Sequence, residues 1–200
     1  MKVRMKIGVL ALQGAVAEHI RSLNEAGADA VTIKRPEELH GIDGLVIPGG
    51  ESTTIGKLMR TYGFIEAIKV FSKSGKPIFG TCAGMIVLAK RINGSVGPED
   101  PHLGLMDMTV RRNAYGRQRE SFETDLNMNG IEAPVRAVFI RAPLIESVGE
   151  AVVVLSTYKD EIVAVRQDHL LACSFHPELT DDYSLHTYFV RMVSEQTAAT

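Results

Sequence analysis

A cysteine at position 82 lies in the run GTCAGM (80–85), between a short apolar run and a helical pattern. A side chain on a sharp turn from strand to helix projects above the carboxyl edge of the sheet, where α/β folds bind ligands. Gly80 and Gly84 provide the small neighbours that such a turn needs. The helix start favours a thiolate, and the amide after the cysteine can stabilise an oxyanion. The pattern predicts a nucleophile, but a buried structural cysteine explains it equally well when it is taken alone.

Partners for this thiol are present in SFHPEL (174–179), at the end of another apolar run. Residues two apart on an extended chain face the same side, so His176 and Glu178 can approach each other, and Pro177 favours an extended His176. A carboxylate on one ring nitrogen sets the tautomer and leaves the other nitrogen for a thiol. Taken alone, this pair also fits a surface histidine in a loop.

A third motif is IPGGES (47–52), in which two adjacent glycines follow an apolar run. Adjacent glycines let backbone amides approach a ligand closely, which predicts a second oxyanion donor. An ordinary strand-terminating turn is the alternative for any single Gly-Gly pair. The order of the three motifs along the chain, rather than any one of them, favours chemistry.

The elements that must position these residues are predicted from the alternation of apolar runs and helical periods. Buried strands are predicted at 6–12, 30–34, 44–50 and 77–80, and helices at 16–27, after 52, at 64–74, at 83–89 and at the C-terminal end. Ser52, Thr53 and Thr54 offer cap hydroxyls for the second helix. Six further strands, at 106–112, 121–128, 135–142, 151–156, 161–167 and 170–175, have few helical periods between them.

This alternation predicts an α/β fold with a doubly wound, mostly parallel sheet that is mixed in the second half and flanked by helices. The 200 residues show no internal repeat or linker, so one domain is predicted over 1–200. A net charge of −2 without a basic block argues against nucleic acid. The apolar run Ile7–Leu12 is too short for a membrane span or a signal peptide, which favours the cytoplasm.

The remaining cysteine and histidines are assigned no chemistry. Cys173 has apolar neighbours and is expected to be buried and inert. No metal-ligand spacing occurs among the other histidines, and surface or cap positions are expected for His19, His40, His102, His169 and His186.

PGGES, GTCAGM and FHPEL, in this order on a doubly wound sheet, resemble the class I glutamine amidotransferases, which have a Cys-His-Glu triad on a flavodoxin-like fold. Further stretches are similar, more narrowly, to the glutaminase subunits of pyridoxal 5′-phosphate synthases. These stretches, GVLALQGAVAEH, KRPEEL, PGGESTT, RRNAYGRQ and VFIRAP, lie at 8–19, 34–39, 48–54, 111–118 and 138–143. The resemblance covers nearly the whole chain.

The resemblance implies a role for each matching residue. Cys82 would be the nucleophile, His176 the general base and acid, and Glu178 its orienting partner. The backbone amides of Gly50 and Ala83 would form the oxyanion hole. The implied glutamine pocket consists of Gly49, Gly50, Glu51, Arg112, Ile140 and Arg141.

Charge chemistry fits that pocket, because a free amino acid brings a carboxylate for an arginine and an ammonium that Glu51 can face. Gln13 is placed to order the oxyanion region or a partner interface. Met85 and Arg111 depart from the family pattern, where Leu and an acidic residue are expected. Arg111 therefore leaves open which of the two adjacent arginines contacts substrate.

The implied activity is hydrolysis of L-glutamine to L-glutamate and ammonia through a cysteine thioester, with no metal or organic cofactor. The implied partner is a (β/α)8-barrel synthase subunit in a hetero-oligomer, which uses the ammonia to make pyridoxal 5′-phosphate. Two alternatives share parts of the pattern. A cysteine peptidase or another Cys-His hydrolase would have the turn and the triad, and a non-catalytic module would only bind and regulate a synthase.

Overall fold

A mixed sheet contains ten of the twelve strands that a computed structural model shows in residues 2–94, 102–112 and 121–200. The strands are β1 Lys6–Leu10, β2 Asp29–Ile33, β3 Gly44–Ile47, β4 Ile78–Thr81, β5 Ala89–Asn93, β6 Met106–Arg111, β7 Phe122–Met128, β8 Ile131–Phe139, β9 Leu144–Val148, β10 Val153–Tyr158, β11 Glu161–Gln167 and β12 Leu170–Cys173. The α-helices are α1 Val16–Glu25, α2 Ser52–Thr61, α3 Phe64–Lys73, α4 Ala83–Leu88 and α5 Ser184–Ala198.

The strand order in this sheet is β2-β1-β3-β4-β12-β11-β9-β6-β5, and β10 pairs with β11. The first five strands of that order are parallel, whereas β11 pairs antiparallel with β12, β9 and β10. Strands β7 and β8 form a separate antiparallel pair. The predicted α/β fold, parallel in its first half and mixed in its second, is confirmed.

Helices cover both faces of the parallel half, which explains why its central strands are apolar at every position. Along β3, Leu45 and Ile47 pack into one core cluster with residues of α2, α3 and α4, while Val46 packs into a second cluster with Phe189 of α5. All four residues of β3, β4 and β12 are buried. No helix within the described ranges is both long enough and apolar enough to cross a membrane.

The register between β4 and β12 brings two distant parts of the sequence to one rim of the sheet. Thr81, the last residue of β4, pairs with Cys173, the last residue of β12. The Cys82 amide then donates to the Cys173 carbonyl at 2.9 Å. The segments that follow β4 and β12 therefore leave the sheet side by side.

Two strands that the sequence analysis did not predict, β5 and β9, lie in the second half of the sheet. β5 (AKRIN) is the outermost strand of the order and follows α4 without a break. β9 (LIESV) is only five residues long and has a polar centre. Neither carries the continuous apolar run that marks a fully buried strand. The strand predicted at 135–142 lies earlier in the chain, because β8 begins at Ile131 and ends at Phe139.

Candidate active site

Cys82 occupies a strained turn between β4 and α4. Its φ of 51° and ψ of −108° lie outside the usual regions for a residue with a side chain. Close backbone contacts require both neighbouring residues to be glycine. A Cβ added to Gly80 would lie 2.5 Å from the carbonyl oxygen of Gly84, and a Cβ added to Gly84 would lie 2.0 Å from the carbonyl oxygen of Ile47. The turn leaves Cys82 7% exposed, at the rim.

The structure brings the thiol, the imidazole and the carboxylate together. His176 Nδ1 lies 2.6 Å from Glu178 Oε1, and Cys82 lies close enough to the same ring to act on its pKa. With Nδ1 committed to the carboxylate, Nε2 is left for the sulfur. The predicted reason for the His-Glu approach was wrong, because β12 ends at Cys173 and the segment Pro177–Leu179 forms a 3-10 turn rather than an extended strand. The turn folds Glu178 back onto the ring.

The electrostatics of this group favour a proton on the imidazole. Burial disfavours the charged ring, but hydrogen bonds to Cys82 and Glu178 outweigh it and raise the pKa of His176 to about 10. The imidazole is therefore protonated at neutral pH. A protonated imidazole can act as a general acid toward a leaving group.

The glycine pair after β3 lies against the same group. A Cβ at Gly49 would be 2.7 Å from His176 Cε1 and 3.3 Å from Cys82 Cβ, so only glycine allows this approach. Gly50 has a φ of 155°, and Gln13 Oε1 accepts a hydrogen bond from the next amide, that of Glu51, at 2.8 Å. Gln13 is thus in contact with the predicted oxyanion region. Ala83 begins α4, where first-turn amides have no acceptor within the helix.

Glu51 caps α2 in place of the predicted hydroxyls. Its carboxylate accepts hydrogen bonds from the amides of Thr53 and Thr54, at 3.0 and 2.8 Å, and from the Thr54 hydroxyl. Burial acts to raise the pKa of Glu51, but these bonds lower it overall. Glu51 is therefore held as a fixed negative charge beside the Gly49–Gly50 turn.

The two adjacent arginines diverge. Arg112 is 8% exposed, and its Nη1 donates to Thr53 Oγ1 at 2.8 Å, which places it at the start of α2 beside Glu51. Arg111, at the end of β6, pairs with Glu146 of β9. Of the predicted motif 111–118, residues 113–118 lie outside the described residues. Of these two arginines, Arg112 lies on the side of the candidate pocket.

The last two predicted pocket residues follow β8. Ile140 is partly buried, and Arg141 is exposed with a φ of 45°. The His176 amide donates to the Val138 carbonyl at 2.8 Å, which ties the end of β8 to the segment that carries the histidine. Ile140 and Arg141 therefore follow the end of β8, two and three residues after the carbonyl that bonds to the His176 segment.

The sequence analysis missed two buried histidines. His19 and His186 were expected at surface or cap positions, but both are 0% exposed. The helical spacing does indicate that both are buried. His19 lies three residues after Val16 and four before Leu23, on the inward face of α1. His186 lies three residues before Phe189, on the inward face of α5. The prediction for Cys173 is confirmed, because it is buried and its burial raises the pKa of the thiol well above the ordinary value.

Comparison with known proteins places this site in a family. A family model described as the SNO glutamine amidotransferase family matches residues 9–195. The chain belongs to this family. Similar curated proteins include the pyridoxal 5′-phosphate synthase subunit PdxT of Niallia circulans, which is 68% identical over 96% of this chain and 99% of that protein. The subunit PdxT of Halalkalibacterium halodurans is 61% identical, over 96% of each chain.

Solved structures agree with this glutamine amidotransferase assignment. A crystal structure of a glutamine amidotransferase is 49% identical, covers 94% of this chain and 98% of its own, and superposes with a TM-score of 0.89. A GMP synthase component from Thermoplasma acidophilum shares the fold, with a TM-score of 0.69 at 18% identity over 100% of this chain and 98% of its own.

Proposed function

We propose that this chain is the glutaminase of a two-component pyridoxal 5′-phosphate synthase. It hydrolyses L-glutamine to L-glutamate and ammonia and delivers the ammonia to a synthase subunit. The observation that carries the proposal is the His176–Glu178 hydrogen bond beside Cys82 at one rim of the sheet, in a chain of the glutamine amidotransferase family. Relatives with the same domain length are named as subunits of that synthase.

In the proposed mechanism the Cys82 thiolate attacks the side-chain carboxamide carbon of glutamine. The oxyanion that forms is stabilised by the backbone amides of Gly50 and Ala83. His176, protonated at neutral pH, gives its proton to the departing ammonia, and a thioester remains on Cys82. The neutral imidazole then takes a proton from water, which attacks the thioester and releases glutamate. Glu178 holds the ring and stabilises its charged form throughout.

The pocket for the amino acid end of the substrate is proposed from Gly49, Gly50, Glu51, Arg112, Ile140 and Arg141. Arg112 offers a forked donor for the α-carboxylate, and the capped, charged Glu51 offers a partner for the α-ammonium. This pairing selects a free amino acid over an internal residue of a polypeptide, whose α-groups are uncharged amides. It therefore favours a glutaminase over a cysteine peptidase on the same fold.

Substitution of the two cysteines tests the nucleophile. Cys82→Ala should lower glutamine hydrolysis at least about 1000-fold, because the thioester cannot form. Cys173→Ala is the matched control, since this thiol ends the neighbouring strand, is fully buried and is assigned no chemistry. Ammonia release is measured for both variants with glutamine, and peptide cleavage is measured in parallel. Unchanged hydrolysis in Cys82→Ala would refute the triad and leave the non-catalytic alternative.

The proposed partner is a (β/α)8-barrel synthase subunit in a hetero-oligomer. Ammonia that escapes into water at neutral pH is mostly protonated and is no longer a nucleophile, so release should be coupled to a receiver. We expect slow glutamine turnover by the isolated chain and faster turnover once the synthase subunit is added. Glutamate formation is measured with and without that partner, together with glutamine-dependent formation of pyridoxal 5′-phosphate. Equal rates would contradict gating by the partner.

Two further assignments accompany this function. The chain forms one glutaminase domain over 1–200, which is supported by the single sheet that joins strands from both halves of the described residues. The proposed compartment is the cytoplasm, because the thiol of Cys82 must stay reduced to act and both cysteines are free. Cell fractionation tests the compartment.

A further inference from the structure

A pair of buried histidines lies directly behind the triad. His19 of α1 and His186 of α5 are both fully buried, and the mechanism above uses neither. His19 Nδ1 is 2.9 Å from His186 Nε2. On its other side, His19 Nε2 is 3.2 Å from the hydroxyl of Thr81 and 3.6 Å from Glu178 Oε2. One ring thus contacts the residue before the nucleophile and faces the carboxylate of the triad.

Both rings are neutral. Burial, and next the neighbouring His186 and His176, lower the pKa of His19 well below its ordinary value. Burial lowers the pKa of His186 to about 3, against the opposing effect of Asp182. A neutral imidazole donates from one nitrogen and accepts at the other, so the pair must have a direction.

One ring nitrogen without a partner shows which of the two histidines donates the hydrogen bond. His186 Nδ1 is buried and has no hydrogen-bond partner among the described residues. Buried N–H groups without an acceptor are rare, so this nitrogen carries the lone pair and the proton is on Nε2. His186 Nε2–H therefore donates to His19 Nδ1. The proton of His19 is then on Nε2, the nitrogen that faces Thr81 and Glu178.

We propose that His19 is a positioning residue for the triad, with its Nε2–H directed by His186 toward Thr81 and the rear oxygen of Glu178. This inference rests on the proposed function. Glu178 Oε2 is buried and has no hydrogen bond among the described residues, while Oε1 accepts from His176. At 3.6 Å the His19 N–H is too far for a hydrogen bond, but it lies beside this oxygen, and neither side chain has exposed surface, so its dipole acts on the carboxylate with little screening.

The neutrality of His19 matters for this role. A charged His19 would form an ion pair with Glu178 and compete with His176 for the carboxylate. A neutral N–H stabilises the rear oxygen and leaves the full attraction of the carboxylate to the imidazolium of His176. Thr81 immediately precedes Cys82, so the same N–H also links the strand that carries the nucleophile to the turn that carries the acid.

Three variants test the proposal by kinetics. His19→Leu removes the N–H at similar volume, and we expect kcat to fall about 10- to 100-fold with KM unchanged, the size typical of groups that orient a reacting side chain. His19→Gln returns an N–H near the position of Nε2 and should recover most of this loss. His169→Leu is the control, because His169 is half-buried, bonds to Ser72 and precedes β12 at the end of that strand opposite the rim. It should leave kcat unchanged.

The pH dependence of kcat/KM provides a readout that a merely structural role would not change. The ionisable groups that face His19 are His186, Glu178 and His176, and Asp182 faces His186. In His19→Leu the less firmly held Glu178 stabilises the imidazolium less, so the ionisation of His176 should shift to lower pH. A folded His19→Leu variant with unchanged kcat and pH profile, or a His19→Gln variant as impaired as His19→Leu, would overturn the proposal.

A measurement on the unaltered chain separates this proposal from the proposed function. In ¹⁵N-histidine-labelled protein at pH 7, the ring nitrogen shifts should show two neutral, Nε2-protonated imidazoles for His19 and His186. A proton on His19 Nδ1, or a charged His19, would overturn the assignment. The spectrum does not depend on catalysis and is valid even if a variant fails to fold. Failure to hydrolyse glutamine would instead refute the proposed function.

Discussion

At the residue scale, the arginine pair 111–112 shows how neighbours in sequence serve different purposes. Arg112 is buried beside the capped Glu51, and Arg111 is held in an ion pair across β6 and β9. Arg111 is the last residue of β6 and Arg112 follows it in a turn, and the two side chains reach different partners. For the proposed pocket, the geometry therefore favours Arg112 over Arg111.

Arg112→Met should raise KM for glutamine about 10- to 100-fold, because the α-carboxylate loses a charge-assisted hydrogen bond while the reacting carboxamide is untouched. Arg111→Met is the matched control and should change KM less than about threefold, since it removes an ion pair that is half exposed to solvent. Steady-state kinetics on the complex with the synthase subunit decide between them. A larger effect from Arg111→Met would reverse the assignment.

The residues of the motifs were found from sequence because their chemistry requires particular types at fixed spacings. Cys82 between glycines, and His176 two residues before Glu178, are visible without coordinates. The helical stripes of α1 and α5 indicate that His19 and His186 are each buried, but their contact could not be found from sequence, since the two residues are 167 positions apart. What sequence could not provide was the pairing, which only the packing of α1 against α5 creates.

At the scale of elements, the packing of α4 against β3 sets the position of Cys82. Gly84 lies in the first turn of α4, and a methyl group there would meet the Ile47 carbonyl oxygen at 2.0 Å. A backbone carbonyl cannot move aside to relieve this clash, whereas the end of a flexible side chain could. The close approach of helix and strand therefore depends on the absence of a side chain.

Gly84→Ala should lower the free energy of unfolding by about 3 kcal/mol and reduce kcat, because α4 must move away from β3 and carries Cys82 with it. Gly41→Ala, where an added methyl group meets nothing within 4 Å, should change stability by less than about 0.5 kcal/mol. Urea unfolding of both variants checks the difference. Equal stability for the two would mean that the helix adapts without cost.

Prediction from sequence found the uniformly buried strands and missed two that are half-exposed. The apolar strands β1, β3, β4 and β12 were predicted because both of their faces are covered. The half-exposed β5 and β9 were missed, because their own residues carry a weak strand pattern. They form strands because both pair with β6.

At the scale of the whole molecule, the buried histidines make stability depend on pH in two opposite directions. His186, with a pKa lowered to about 3, contributes stability above its unfolded value of 6.5 and loses it as the pH falls. His19 acts in the same sense. His176, with a pKa raised to about 10, contributes stability below 6.5 and loses it as the pH rises. The fold should therefore be most stable near pH 6.5.

As the pH falls from 6.5 to 5, each histidine that stays neutral in the fold should lower the free energy of unfolding by about 2 kcal/mol. The reason is that the same histidine takes up a proton in the unfolded chain. Urea unfolding at pH 5, 6.5 and 8.5 should show a maximum at the middle value. His186→Leu should be less sensitive to acid than the unaltered chain, by about the share of one histidine. An equally steep acid limb in that variant would show that carboxylates, not His186, determine it.

The position of β12 between β4 and β11 affects how the chain folds during synthesis. The strand that leads to His176 is synthesised after every other described strand of the sheet. It completes the interior of the sheet by non-local pairing with β4, a kind of contact that forms slowly. A nascent chain, or one truncated before this strand, holds a cysteine with no base beside it. By the proposed mechanism, such a chain cannot hydrolyse glutamine before folding is complete.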